Sequence, residues 1–290
     1  MICSLCPHRC QAERNDREGF GRCRMPSLPR IARAALHHGE EPCISGTNGS
    51  GTVFFSGCSL SCVFCQNAPI SHEDFGRTVS VAHLADCFRR LEAEGAHNIN
   101  LVNPTHYAHS IRQALECYRP SIPIVYNSSG YERVETVRSL DGLIDVYLPD
   151  YKYADNALAT ALSGIENYRE TALEAIAEML RQTGPITLQN GLAVGGTMVR
   201  HLVLPGHTCN SLQALNDLHE RFGSTLWVSL LFQYTPMRPH PDKALNRTLT
   251  PRECRKVFDH LCALEFENGY AQELSSATAQ LIPSFDLTGV

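Results

Sequence analysis

Short apolar runs and amphipathic stretches alternate along most of this chain. Thr52-Val53-Phe54-Phe55 has the length and the β-branched and aromatic character of a buried strand. An amphipathic helix over 81–94 follows, and then the strand-like segment 98–102. The same rhythm predicts helices over 110–118, 132–139, 169–182 and 211–221, with strands over 122–126, 144–148, 198–204 and 226–232 between and after them. Strands joined by helical crossovers run parallel, so six such units predict an α/β fold, either a closed or partly closed barrel or an open doubly wound sheet.

The polar clusters decide for the barrel. Asn103-Pro104-Thr105-His106, Asn127-Ser128-Ser129-Gly130, Asp150-Tyr151-Lys152, Pro205-Gly206-His207 and Gln233-Tyr234-Thr235 each fall directly after a predicted strand. A (β/α) barrel gathers such loops at one end, whereas an open sheet binds ligands at a single switch point. Six units rather than eight predict a partial (β/α)6 TIM-like barrel, open on one side, which suits a large or protein substrate. Residues 1–50, with four cysteines, Pro26, Pro29 and a Gly- and Ser-containing run, are expected to form a cysteine-rich metal-binding appendage. The barrel is expected over 51–236, and a helical extension over 237–290, with a helix over 251–267 and a polar segment over 271–280 placed to cover the barrel mouth or a partner.

Composition narrows the class. The chain has 290 residues, 43% of them hydrophobic and 19% charged, as expected of one globular domain with appendages. No segment is apolar for the length a bilayer requires, and the amino terminus shows no apolar signal region, so a cytoplasmic protein away from membranes is expected. A net charge of -5 without a basic stripe argues against nucleic acid. Arg89-Arg90 and Arg252 to Arg255 read as solvated helix faces. Many of the 13 cysteines fall in tight groups spaced like metal ligands, so reduced thiolates are expected rather than disulfides.

Cys58, Cys62 and Cys65 form a Cys-x3-Cys-x2-Cys set immediately after the first predicted strand. A structural metal site normally closes its coordination with a fourth protein ligand, whereas an iron-sulfur cube on three thiolates leaves one iron open to a substrate or cofactor. Cys3, Cys6, Cys10 and Cys23 form a second, complete set that suits either a zinc staple or an auxiliary cluster relaying electrons. Cys87, Cys117, Cys254 and Cys262 read as packing on helices. Cys43, between the two sets, is a candidate replacement ligand, and Cys209 a candidate to face the substrate.

The loop CSLSCVFC, with Phe64 before its last cysteine, resembles the signature of the radical S-adenosylmethionine (SAM) superfamily. FFSGCSLSCVFCQN, NLVNPTHY, YNSSGYE, YLPDYKY, VRHLVLPG and LFQYTPM together resemble the activating enzyme of pyruvate formate-lyase and its uncharacterised iron-sulfur relatives. The resemblance implies a partial (β/α)6 barrel binding a [4Fe-4S] cluster and SAM. The reduced cluster would cleave SAM to methionine and a 5′-deoxyadenosyl radical, which takes a hydrogen atom from a substrate. It also implies an oxidoreductase-class enzyme and an external electron donor such as flavodoxin or ferredoxin, and it leaves a protein substrate open.

Carried over residue by residue, Phe64 matches the aromatic lying alongside adenine. Asn127 and Ser128 match an Asp-Thr pair that holds the cofactor and a monovalent cation, although Asn127 lacks the charge of that Asp. Asp150 and Lys152 match an Asp-x-Lys, Arg200 an Arg near SAM, and Tyr234 a cofactor-facing position. Lys152 and Arg200 would bring positive charge to the SAM carboxylate and ribose, with Asp150 holding them. Where activating enzymes carry Gly-Gly-Glu, this chain has Val102-Asn103-Pro104-Thr105-His106, so Asn103 and Thr105 are the expected acceptors for the SAM ammonium and His106 is read as structural. The alternative is a non-catalytic iron-sulfur or zinc protein serving electron transfer or assembly.

Overall fold

The computed structural model describes residues 2–273, 276 and 283–290. Its strands are β1 (Arg30–His37), β2 (Ser50–Phe55), β3 (Arg77–Thr78), β4 (Ile99–Val102), β5 (Ile124–Ser128), β6 (Val146–Pro149), β7 (Thr187–Gln189), β8 (Leu192–Leu202), β9 (Trp227–Leu231) and β10 (Gly269–Ala271). The α-helices are α1 (Pro42–Ser45), α2 (Ala68–Ser71), α3 (Val81–Ala93), α4 (Ala108–Cys117), α5 (Val134–Arg138), α6 (Asn156–Ser163), α7 (Tyr168–Thr183), α8 (Thr208–Phe222) and α9 (Pro251–Ala263).

One sheet runs β10-β9-β8-β6-β5-β4-β2-β1-β3. From β2 to β9 every neighbouring pair is parallel, which gives the six strands of the expected partial barrel. These strands are nearly continuous apolar runs because helices cover their outer face and the interior fills from within. All six residues of β2 are buried. Local signals fix the helices: Ser80 accepts a hydrogen bond from the His83 amide at the start of α3, which buries Leu84, Ala85, Phe88 and Leu91. Thr250 and Glu253 form a reciprocal capping box at the start of α9. Each apolar side chain taken fully from water contributes about 1.5–3 kcal/mol, so the α3 face alone outweighs its caps.

The expected appendage over 1–50 is not wholly outside the barrel. Arg30–His37 is a strand, antiparallel to β2 from Ile31↔Phe55 to His37↔Ser50. After it the chain turns beneath the barrel, where Cys43 and Ile44 of α1 pack with Val125, Val146, Leu148 and Met198 as its floor. The barrel's other edge gains β10, parallel to β9, so the extension over 237–290 is not only helical. Residues 283–290 return along β1: the Ala34 amide donates to the Thr288 carbonyl at 2.9 Å, and Phe285 meets Phe54 at 5.5 Å between ring centroids. Of the polar segment 271–280, residues 274–275 and 277–280 lie outside the described residues. No helix of the described residues is long and apolar enough to cross a membrane.

Candidate active site

The cysteine loop leaves β2 through Ser56 and Gly57. Gly57 has φ +81°, and a Cβ there would stand 2.2 Å from Met25 Cγ, so only glycine lets the amino-terminal segment close over the loop. The Gly57 carbonyl accepts from Asn103 Nδ2, and the Ser56 carbonyl lies 2.7 Å from His106 Nε2. Further along, Ser163 Oγ donates to Cys62 Sγ at 2.9 Å and the Leu60 amide to Cys58 Sγ at 3.4 Å. Burial and then the neighbouring thiols Cys62 and Cys65 push the Cys58 thiol far up. Burial pushes Cys62 up to about 11, with Lys152 working against it. Three thiols are thus crowded in a desolvated loop, an arrangement that bound iron would relieve by taking them as thiolates.

Cys62 and Cys65 line a cleft in the barrel interior together with Asp150, Lys152 and Arg200. Strand alternation sets this up: Asp150 and Lys152 face inward, while Tyr151 between them points to the helix layer and donates to Asp217 Oδ2 at 2.7 Å. Asp150 is the hub. One oxygen accepts from Lys152 Nζ and the other from Arg200 Nε at 3.0 Å. Burial alone would raise its carboxyl, but Lys152 and Arg200 more than offset that and hold it below the usual range. Arg200 continues the chain, with Nη1 3.1 Å from Glu40 Oε2 and Nη2 donating to Asn127 Oδ1. Glu40 Oε1 also accepts from Asn100 at 3.1 Å and Asn127 at 3.2 Å.

Of the residues expected at the cofactor, Phe64, Asn127, Asp150, Lys152, Arg200 and Tyr234 line this cleft. The rings of Phe64 and Tyr234 lie 6.2 Å apart, and the Tyr234 hydroxyl is tied to the Leu245 carbonyl at 2.8 Å, which leaves its face to the cleft. Asn103, Thr105 and Ser128 are engaged elsewhere. Asn103 braces the cysteine loop from a positive φ of 60°. Thr105 is buried, donates to Glu132 Oε1 at 2.5 Å and does not line the cleft. Ser128 stands one position out of phase with Asn127 and accepts from the Gly130 amide at 3.2 Å. His106 is structural: it is buried, and burial followed by Arg14 lowers its ring to about 3.

Glu40 was not foreseen, because it lies in the polar run His37-His38-Gly39-Glu40-Glu41-Pro42 between an unrecognised strand and the floor helix. Cys43 sits in that floor, and the Cys209 side chain is exposed at the start of α8.

The amino-terminal cysteines stand against the outer side of the same loop. Cys6 is pushed up to about 12, first by burial and also by Cys23, Cys3 and Cys10, so the four thiols are near neighbours. Buried Arg14 holds them to the barrel, reaching Cys3 Sγ at 3.5 Å, the Met25 carbonyl at 3.0 Å and the His106 carbonyl at 2.6 Å. His8 meets the Ser59 carbonyl at 2.8 Å and Arg22 the Ser61 hydroxyl at 2.9 Å. Among the described residues no three His, Cys, Asp or Glu side chains are arranged to hold a single metal ion. A cube takes each thiolate on a different iron, so its ligands need not converge on one point.

No protein-family model matches the chain. The uncharacterised protein MJ0674 of Methanocaldococcus jannaschii is 31% identical over 271 residues, covering 89% of this chain and 73% of that one. Among solved structures, SuiB of Streptococcus suis bound to S-adenosylmethionine is similar with a TM-score of 0.53 at 13% identity, over 76% of this chain and 50% of SuiB. SuiB bound to its precursor peptide SuiA gives 0.51 at 15% identity, over 76% and 48%. Methylornithine synthase (PylB) gives 0.51 at 12% identity, over 89% and 72%. The chain thus spans about half the length of SuiB, and with these structures it shares the partial-barrel fold.

Proposed function

The chain belongs to the family of the uncharacterised Methanocaldococcus jannaschii protein MJ0674, and we propose that it is a radical SAM enzyme, binding a [4Fe-4S] cluster through Cys58, Cys62 and Cys65 and SAM in the adjoining cleft. One observation carries this reading: Cys62 and Cys65 share a cleft with Lys152, Asp150 and Arg200. Three thiolates on a cube would leave one iron open, and the cations in the same cleft suit a carboxylate. SuiB, solved with SAM, has the same fold.

A cluster held by Cys58, Cys62 and Cys65 would supply the electron for reductive cleavage of SAM, and with it the means to take a hydrogen atom from a substrate. The chain's own residues bind and orient. Lys152 and Arg200 offer charge-assisted hydrogen bonds to the SAM carboxylate and ribose, fixed in place by Asp150. Phe64 and Tyr234 offer apolar ring faces to adenine. With Asn103 and Thr105 turned away, Glu40 is the carboxylate that the cleft offers an ammonium. The motifs shared with pyruvate formate-lyase activating enzyme support hydrogen abstraction as the reaction type. The missing Gly-Gly-Glu argues against activation of a glycyl-radical enzyme.

The amino-terminal quartet, whose thiols are near neighbours, would hold either a zinc ion or a second iron-sulfur cluster. An external one-electron donor such as flavodoxin or ferredoxin completes the reading. Arg22, Arg24 and Arg238 line the outer side of the loop beside Cys58, where Arg24 and Arg238 pair with Asp74 and Glu73. SuiB was solved with a precursor peptide, which supports a protein or peptide substrate.

Spectroscopy of the reduced cluster tests the cofactor assignment. If one iron is open to SAM, adding SAM to the reconstituted, dithionite-reduced protein changes the electron paramagnetic resonance signal. A signal from the three-cysteine site that SAM leaves unaltered would refute it.

A further inference from the structure

Beside the cofactor cleft a second cavity opens between residues 38–42 and strands β9 and β10, lined by His38, Glu41, Arg200, Ser229, Tyr270 and Gln272 among others. Glu41 is only 8% exposed, and its Oε2 has no hydrogen-bond partner. An unpartnered carboxylate oxygen in a desolvated place costs about 1–3 kcal/mol or more, so a folded chain that keeps one there has either a ligand for it or a penalty to carry.

The nearest cation is already committed. Arg200 gives Nε to Asp150, Nη1 to Glu40 and Nη2 to Asn127. Glu40 and Asp150 already balance Lys152 and Arg200, so Glu41, whose carboxyl burial raises, has no ion-pair partner of its own among the described residues. Glu40, Arg200 and Gln233 line both cavities, whereas Cys62, Phe64 and Lys152 line only the cofactor cleft. A ligand in the second cavity would therefore sit beside the cofactor and not in its place.

We infer that this cavity receives a cationic nitrogen group of the substrate, an ammonium or guanidinium, bound by Glu41 and with the rest of the molecule reaching into the cofactor cleft. A cation there pairs the free Oε2 and offsets the burial that otherwise disfavours the ionised carboxylate. That the ligand is the substrate of a radical reaction rests on the proposed function; that the cavity binds a cation does not.

The chain's single tryptophan reports on it. Trp227 packs on Tyr270, which lines the cavity, with ring centroids 5.9 Å apart. The reconstituted protein is titrated with n-butylammonium and n-butylguanidinium, and with uncharged n-butanol as control, while Trp227 fluorescence is followed. A saturable change with at least one of the two cations is expected, weakened at least tenfold in Glu41→Gln, absent with butanol and retained at saturating SAM. His38→Lys, which puts a competing ammonium at the wall, should weaken it similarly, and it decides the matter if Glu41→Gln fails to fold. Butanol titrating as the cations do, a folded Glu41→Gln or His38→Lys binding as the parent does, or strict competition with SAM would each overturn the assignment. Because no turnover is read, failure of the radical SAM reading leaves this result intact.

Discussion

Arg200 Nε lies 3.0 Å from Asp150 Oδ1, and the two residues pair directly across a parallel bridge where β6 and β8 end. This contact places both cations of the cleft, because the same carboxylate also holds Lys152. Its three members are less than one-fifth exposed, so the charges are little screened and each depends on the others.

Asp150→Asn should accordingly leave two cations competing for one neutral acceptor. Breaking a buried pair by removing one partner costs about 3–5 kcal/mol, so thermal melting should show a clear loss of stability. SAM affinity should fall at least tenfold, measured by equilibrium binding to the reconstituted protein, while iron content at the three-cysteine site stays unchanged. Unaltered SAM affinity would remove Asp150 from the site.

Glu132 gives a pH signature unrelated to catalysis. Burial raises its carboxyl to about 7, against hydrogen bonds from Thr105, Ser128 and Tyr126 that lower it. The folded state thus keeps a proton that the unfolded chain releases near pH 4.3, so stability is greatest below that value and falls as pH rises towards about 7. The whole loss is about 4 kcal/mol. Glu132→Gln should flatten this slope in urea unfolding measured from pH 5 to 8, and an unchanged slope would count against a raised carboxyl.

Gly130 has φ +74°, and a Cβ there would stand 2.0 Å from the Asp150 carbonyl oxygen. Gly130→Ala should therefore force β5 and β6 apart next to Asp150 and destabilise the protein by several kcal/mol, on the order of 3. Thermal denaturation checks it, and a melting temperature within a degree of the parent's would contradict the packing described.

The two thiol sets are separable by metal analysis. A Cys3→Ser, Cys6→Ser double variant should keep the iron bound at Cys58, Cys62 and Cys65, and loss of other iron would identify a second cluster at the amino-terminal set. Loss of zinc alone would identify the amino-terminal set as a zinc staple.

The barrel strands were legible because burial on both faces makes them short apolar runs, and the cysteine loop because ligand spacing is local. β1 was not, since Arg-Ile-Ala-Arg-Ala-Ala-Leu-His favours a helix by composition and becomes a strand only by pairing with β2. Gly195 and Gly196 concealed the first half of β8, where Gly196 at φ +111° packs within 2.4 Å of Ile186 Cα, counted from its would-be Cβ. Within the site, alternation decides which residues line the cleft: Asp150, Lys152, Asn127 and Arg200 do, whereas Ser128 is out of phase. Thr105 is kept from the cleft by its partner Glu132, which is distant in sequence and buried. Glu40 and Glu41 were hidden because they enter from beneath the barrel.

Reductive cleavage of SAM tests the central claim most directly. The reconstituted protein, incubated anaerobically with dithionite and SAM, should form 5′-deoxyadenosine and methionine in equal amounts, and Cys62→Ser should form neither. A fully loaded three-cysteine cluster that yields no 5′-deoxyadenosine with chemical or flavodoxin reductant would contradict the account.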